Sequence, residues 1–163
     1  MRVDVIVVGA GPAGCSAAYH AARAGLEVLL LDQHESRQDR ADGDALFSRA
    51  VAEVSLMGLA DWLEGPNHYK YEGTVVHART ACLRGTNSPV NRHGVRGYVM
   101  PWFETATRLL ERAREAGASF RGGVRARSLL RYPSGAVIGV EVGEYGPGWQ
   151  PQEARPCNTR RRW

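Results

Sequence analysis

Val3–Asp32 reads VDVIVVGAGPAGCSAAYHAARAGLEVLLLD, and this stretch decides the fold. The apolar run Val3–Val8 leads directly into Gly9-Ala10-Gly11-Pro12-Ala13-Gly14. An alanine-rich segment follows (Ala17, Ala18, Ala21, Ala22), then Gly25, a second apolar run Leu26–Leu31 and an acid at Asp32. The pattern predicts a strand, a glycine turn, a helix over Ala13–Ala24 and a buried parallel strand. Pro12 suits the first helical position, where a missing N–H costs nothing, and Gly25 suits the residue after a helix end.

Each glycine has its own reason. Gly9 permits a tight turn off the strand, Gly11 lets a pyrophosphate approach the backbone without meeting a Cβ, and Gly14 lets helix and strand pack closely. The phosphates would lie on the free N–H groups and the positive end of the helix dipole. Asp32, 23 residues after Gly9, stands where a carboxylate accepts hydrogen bonds from an adenosine ribose and favours a free 2′-OH over a 2′-phosphate. The order of elements therefore predicts a dinucleotide-binding start. The alternative reading of the same glycines is an α/β turn that needs them for packing alone.

With 163 residues, 44% hydrophobic and 23% charged, the chain suits one globular domain with a real core. It is shorter than the two or three domains that flavin enzymes with this start carry. The apolar runs are too short for a membrane span, and Asp4 with the glycine turn interrupts any signal-peptide core. A cytoplasmic location is expected, with peripheral contact at the inner membrane as the alternative. The net charge of +4 is misleading, because residues 151–163 hold Arg155, Arg160, Arg161 and Arg162 against Glu153. Nothing in the nearly neutral remainder argues for a nucleic-acid face, and no nucleic-acid partner is expected. Cys15, Cys82 and Cys157 form neither a disulfide framework nor a metal site, and the five histidines show no paired ligand spacing. Cys15 is expected to be a small packing residue. Its place in the first helical turn leaves a redox-sensing thiol as the alternative.

Further along, Gln33–Asp44 is polar and reads as a loop, and Ala45–Leu63 as helical with a break at Gly58. Thr74–His77 reads as a short strand, and Arg79–Gly97 as a loop or irregular strands. Phe103–Ala116 is a second clear helix, with Leu109, Leu110 and Ala113 inward, Glu111 and Glu115 paired with Arg108, Arg112 or Arg114, and Gly117 as its stop. Val124–Leu130 and Ala136–Val142 make a hairpin across Tyr132-Pro133-Ser134-Gly135. From Gly143 the punctuation by glycine and proline predicts a disordered basic tail, so the expected division is 1–142 and 143–163.

From Val3 to Val142 the chain resembles the FAD-dependent geranylgeranyl reductase family, within the p-hydroxybenzoate-hydroxylase-like flavoproteins. The resemblance is carried by Val3–Asp32, by GDALFSRAVAEVSLMGLADWL (Gly43–Leu63), and by RGYVMP with LLERAREAGA (Arg96–Pro101 and Leu109–Ala118). It implies an α/β, Rossmann-like FAD-binding domain with a parallel sheet, a glycine-rich βαβ start and a small β-hairpin extension, incomplete on its C-terminal side. It implies FAD bound through Gly9, Ala10, Gly11, Pro12, Ala13, Gly14, Asp32, Gln33, Arg40, Gly43 and Asp44, with the adenine near the strand containing Ala126. It implies reduction of isoprenoid double bonds, of geranylgeranyl or menaquinone type, in a small-molecule or prenyl-lipid substrate, with NAD(P)H as an external reductant. A flavin-dependent monooxygenase of aromatic or quinone substrates is the first alternative, and a non-catalytic dinucleotide-binding module or truncated gene product the second.

The chain departs from the family at several positions. Asp42 stands at the family's cysteine position, Trp102 follows Pro101 where the family places an arginine, and Thr105-Ala106 replace a Phe-Asp pair. The chain stops before the family's Asp-Gly segment, its later Gly-Asp motif and the substrate domain. No residue is nominated as catalytic, and Asp42 reads as an exposed loop carboxylate.

Overall fold

The computed structural model describes residues 3–35, 43–86 and 97–144. It divides into two compact units, one formed by Met1–Gln38 with Ala106–Trp163 and the other by Asp39–Thr105.

In the first unit, β1 (Val5–Val8), α1 (Pro12–Arg23) and β2 (Val28–Leu31) form the expected strand, helix and strand. β2 is central in a parallel sheet of order β1-β2-β8, where β8 is Ser119–Arg121. All four residues of β2 are buried, as a parallel strand covered on both faces requires. Leu29 and Leu31 pack with Val124, Val3, Ile6 and Val142. The alternate face takes Leu30, and α1 contributes buried Cys15, Ala18 and Tyr19. Cys15 is fully buried, in keeping with the packing reading. β9 (Val124–Arg131) and β10 (Val137–Glu144) pair antiparallel as the predicted hairpin. β10 runs on to Glu144, and the expected tail beyond it lies outside the described residues.

α4 (Trp102–Glu115) ends at Gly117, whose φ of +110° only glycine adopts readily. Its surface pairs are Arg108 with Glu111 and Glu115, and Arg112 with Glu115. Leu109 and Ala113 are buried as expected, whereas Leu110 is only half-buried.

The second unit corrects the sequence reading in two places. Gly43–Leu46, expected as loop and helix start, forms β3, and the helical stretch begins only at α2 (Ser48–Leu56) and α3 (Ala60–Leu63). β3 has no strand-forming composition of its own. It is extended because it pairs antiparallel with β7 (Gly97–Pro101), which pairs on its other side with β4 (Tyr69–Tyr71). The break at Gly58 stands as expected, with φ +79°. β5 (Gly73–Ala78) and β6 (Ala81–Thr86) form a separate hairpin, so the irregular stretch after Arg79 begins with a regular strand.

The core of this unit holds Leu46, Val51, Val54, Met57, Leu59, Leu63, Tyr98 and Met100. Glu64, after α3, ties two strands to it. Its Oε2 accepts from Lys70 Nζ at 2.6 Å and its Oε1 from the Tyr98 hydroxyl at 2.5 Å. The Lys70 hydrogen bond, followed by that from Tyr98, holds the Glu64 carboxyl below the usual carboxylate range.

Two predictions follow from this packing. Leu30→Ala is expected to lower the unfolding free energy by about 3 kcal/mol in a denaturant titration, since it opens a cavity in the fully buried centre of the parallel sheet. A carboxyl whose folded pKa is depressed stabilises the fold above its unfolded pKa and ceases to as the pH falls through the folded value. Glu64→Gln should therefore lower Tm at neutral pH, with the gap to wild type closing as the pH drops below about 4; a gap independent of pH would contradict this.

Candidate cofactor site

The turn between β1 and α1 is built by three glycines acting in three different ways. Gly9 has φ +96° and donates its N–H to Leu31 O at 2.7 Å, so it turns the chain while remaining tied to β2. At Gly14 an added Cβ would lie 1.8 Å from Gly9 O and 3.5 Å from Val7 Cγ1, so the close approach of helix to turn is real. Among the described residues, nothing lies within 4 Å of a Cβ added at Gly11. The space over Gly11 is thus open, as an approaching phosphate requires.

Gly11 is the N-cap of α1 and Pro12 its first residue. Among the described residues no side chain caps this end, and no acid lies in the first turn. Uncapped N–H groups at the positive end of a twelve-residue helix form a ready anion-binding surface. Ala13 and Gly14 belong to this turn, and Cys15 closes it, its N–H donating to Gly11 O at 2.9 Å and its Sγ to Ala10 O at 3.2 Å.

Asp32 follows β2 and is 8% exposed. Its Oδ2 accepts from Ala10 N at 2.7 Å, and its Oδ1 accepts from His34 N at 2.9 Å, with His34 Nδ1 3.2 Å away. Its main chain is held as well: Asp32 N donates to Arg121 O at 3.1 Å, and Asp32 O accepts from Val124 N at 3.0 Å.

The other expected residues are less tightly gathered. Gln33 is half-buried beside Asp32, and Ala126 lies on β9 opposite Val142, half-buried and just beyond the Val124 that bonds Asp32. Arg40 lies outside the described residues. Gly43 and Asp44 belong to β3 of the second unit, paired with Pro101 and Met100. The spacing of the histidines gave no sign of the His34 N–H contact to Asp32. Its signal was an Asx-type turn, in which an aspartate bonds the N–H two residues on. Among the described residues no group of three His, Cys, Asp or Glu could hold a metal, and no helix is long and apolar enough to cross a membrane.

Residues 2–144 match the family described as FAD binding domain. The chain belongs to that family. It is 54% identical over 63 residues to a menaquinone reductase of Mycolicibacterium smegmatis, a match covering 39% of this chain and 15% of that protein. It is 34% identical over 148 residues to digeranylgeranylglycerophospholipid reductase 1 of Methanopyrus kandleri, covering 90% of this chain and 36% of the relative. The chain thus spans well under half the length of these relatives. Among solved structures, the myxobacterial FAD-dependent halogenase CndH superposes with a TM-score of 0.74 at 20% identity, over 88% of this chain and 33% of that one. At that identity the likeness is one of fold. These matches bear out the expected α/β architecture, the FAD cofactor and the resemblance to geranylgeranyl reductase-like flavoproteins.

The two inner glycines should separate experimentally. Gly14→Ala is expected to destabilise the protein by about 3 kcal/mol, because the new methyl meets a backbone carbonyl that cannot step aside. Gly11→Val should change stability by less than about 1 kcal/mol, because its side chain enters open space at an N-cap. Asp32→Asn should cost about 1–3 kcal/mol, since an amide can present an oxygen to only one of the two N–H donors now bound by the carboxylate. Urea titrations of the three variants test all of this.

Proposed function

We propose that this chain is the N-terminal FAD-binding part of an FAD-dependent oxidoreductase that reduces isoprenoid double bonds of geranylgeranyl or menaquinone type. The observation that carries the cofactor assignment is the joint geometry of open Gly11, uncapped α1 and buried Asp32, with the carboxylate bonded directly to the glycine turn. The substrate class is supported by the menaquinone reductase and the archaeal lipid reductase among its relatives.

The residues present fit the cofactor. Gly11, Ala13 and Gly14 would take the pyrophosphate, Gly9 and Ala10 would shape the turn beneath it with their own N–H groups on Leu31 O and Asp32 Oδ2, and Pro12 would set the helix start without presenting a donor of its own. Asp32 would accept the ribose hydroxyls. The half-buried Ala126 strand would flank the adenine within a domain of residues 1–142, and resemblance adds Gln33, Arg40, Gly43 and Asp44 as further contacts. FAD, once bound, supplies the two-electron transfer itself, with NAD(P)H as the external donor. What these residues of the chain contribute is placement: they neutralise the diphosphate with helix-end N–H groups, fix the ribose with a buried carboxylate, and keep side chains away from the phosphates.

The test is colour and titration. The purified chain should carry flavin absorbance or bind added FAD, and Gly11→Val should weaken that binding by about tenfold or more, equivalent to about 1.4 kcal/mol. A chain that never binds FAD defeats the proposal, and unchanged affinity in Gly11→Val places the ligand elsewhere. Longer protein carrying this domain, with reduced flavin, should saturate a menaquinone or geranylgeranyl double bond; hydroxylation of an aromatic substrate instead would move it to the monooxygenases.

A further inference from the structure

Between β8 and β9 the chain passes beside Asp32 through a bend at Gly122-Gly123, and the segment after Asp32 lies directly against it. An added Cβ on Gly122 would stand 2.7 Å from Glu35 Cα and 2.7 Å from His34 O, both main-chain atoms. On Gly123, at φ +70°, it would stand 2.8 Å from Glu35 Cγ and 3.0 Å from Glu35 Oε1, both on a side chain. The bend is flanked by the two bonds that hold the Asp32 main chain, from its N–H to Arg121 O and from Val124 N–H to its carbonyl. The same segment supplies the His34 N–H that fixes Asp32 Oδ1, while Oδ2 holds the Ala10 N–H of the glycine turn.

We propose that the Gly122-Gly123 bend is a positioning element of the FAD site, a bare backbone surface that sets the Asp32–Glu35 segment and through it the direction of the Asp32 carboxylate. The inference rests on the FAD reading above. Neither glycine touches the cofactor; each acts through the residues after Asp32. A methyl at Gly122 pushes main chain and cannot be accommodated by a side-chain rotation. One at Gly123 meets the flexible end of Glu35, which can be removed.

The experiment uses FAD, ADP and 2′-phospho-ADP as ligands for the full chain, with circular dichroism confirming a folded protein. Gly122→Ala should lower affinity for FAD and ADP by about tenfold or more, the scale on which small misplacements of a site act. It should also narrow the preference for ADP over 2′-phospho-ADP, because a displaced carboxylate repels the 2′-phosphate less; a merely destabilised fold leaves that ratio alone. Gly123→Ala should weaken FAD binding, and Glu35→Ala should restore it in the Gly123→Ala background but not in the Gly122→Ala background. Gly135→Ala, at a turn of φ +85° with nothing within 4 Å of an added Cβ, should leave affinity unchanged.

Folded Gly122→Ala with wild-type affinity and selectivity overturns the inference while leaving the FAD reading intact. Wild-type protein that binds neither FAD nor ADP overturns the reading beneath it. Should Gly122→Ala fail to fold, the Gly123→Ala and Glu35→Ala pair decides alone: absence of rescue overturns the inference.

Discussion

A buried carboxylate at the end of a parallel strand joins the parts of the first unit that must agree for a dinucleotide to bind. Asp32 accepts from the amide of Ala10 in the glycine turn and from the amide of His34 after the strand, while its own main chain bonds Arg121 and Val124. A charged group this little exposed is stable only with such partners. The turn, β2, β8 and β9 are thereby referred to one residue. The carboxylate proposed to meet the ribose also holds the glycine turn proposed to meet the pyrophosphate, so one hydrogen bond connects the two proposed contacts.

The glycine turn illustrates how one motif combines separate constraints. Gly9 is required by backbone conformation, Gly14 by the approach of α1 to Gly9 O, and Gly11 by space that nothing in the described residues fills. Only the last fits the pyrophosphate contact proposed for this turn. A turn needing glycine for packing alone would account for Gly9 and Gly14 and leave Gly11 without a reason. Gly122 and Gly123 extend the theme at the other side of Asp32, where bare backbone meets the residues that orient the carboxylate.

The second unit is organised differently. Its strands are short and separated in sequence, and β7 between β3 and β4 is what makes either of them a strand. Tyr98 and Met100 turn inward from β7 while Val99 faces out, so the pattern of one-sided burial exists only once the three strands are aligned. The Glu64 bonds to Lys70 and Tyr98 add a polar tie between the end of α3, β4 and β7.

Local sequence determined those features whose cause is local. The β1-α1-β2 start, the uncapped helix with Pro12 at its first position, the helix stopped by Gly117 and the β9-β10 hairpin are all readable because alternation, helical spacing and punctuating glycines act within a few residues. The tertiary structure decided the rest. β3, β4 and β8 have too few residues to announce themselves, and become strands only through hydrogen bonds to distant partners. The same holds at the site: the sequence shows that an acid stands at Asp32, but not that its two oxygens are bound by Ala10 and His34, nor that Gly122 and Gly123 press on the segment behind it. Apart from the His34 bond, which is local, those facts depend on separations of 22 residues and more along the chain, which only the folded backbone brings within hydrogen-bonding and van der Waals reach.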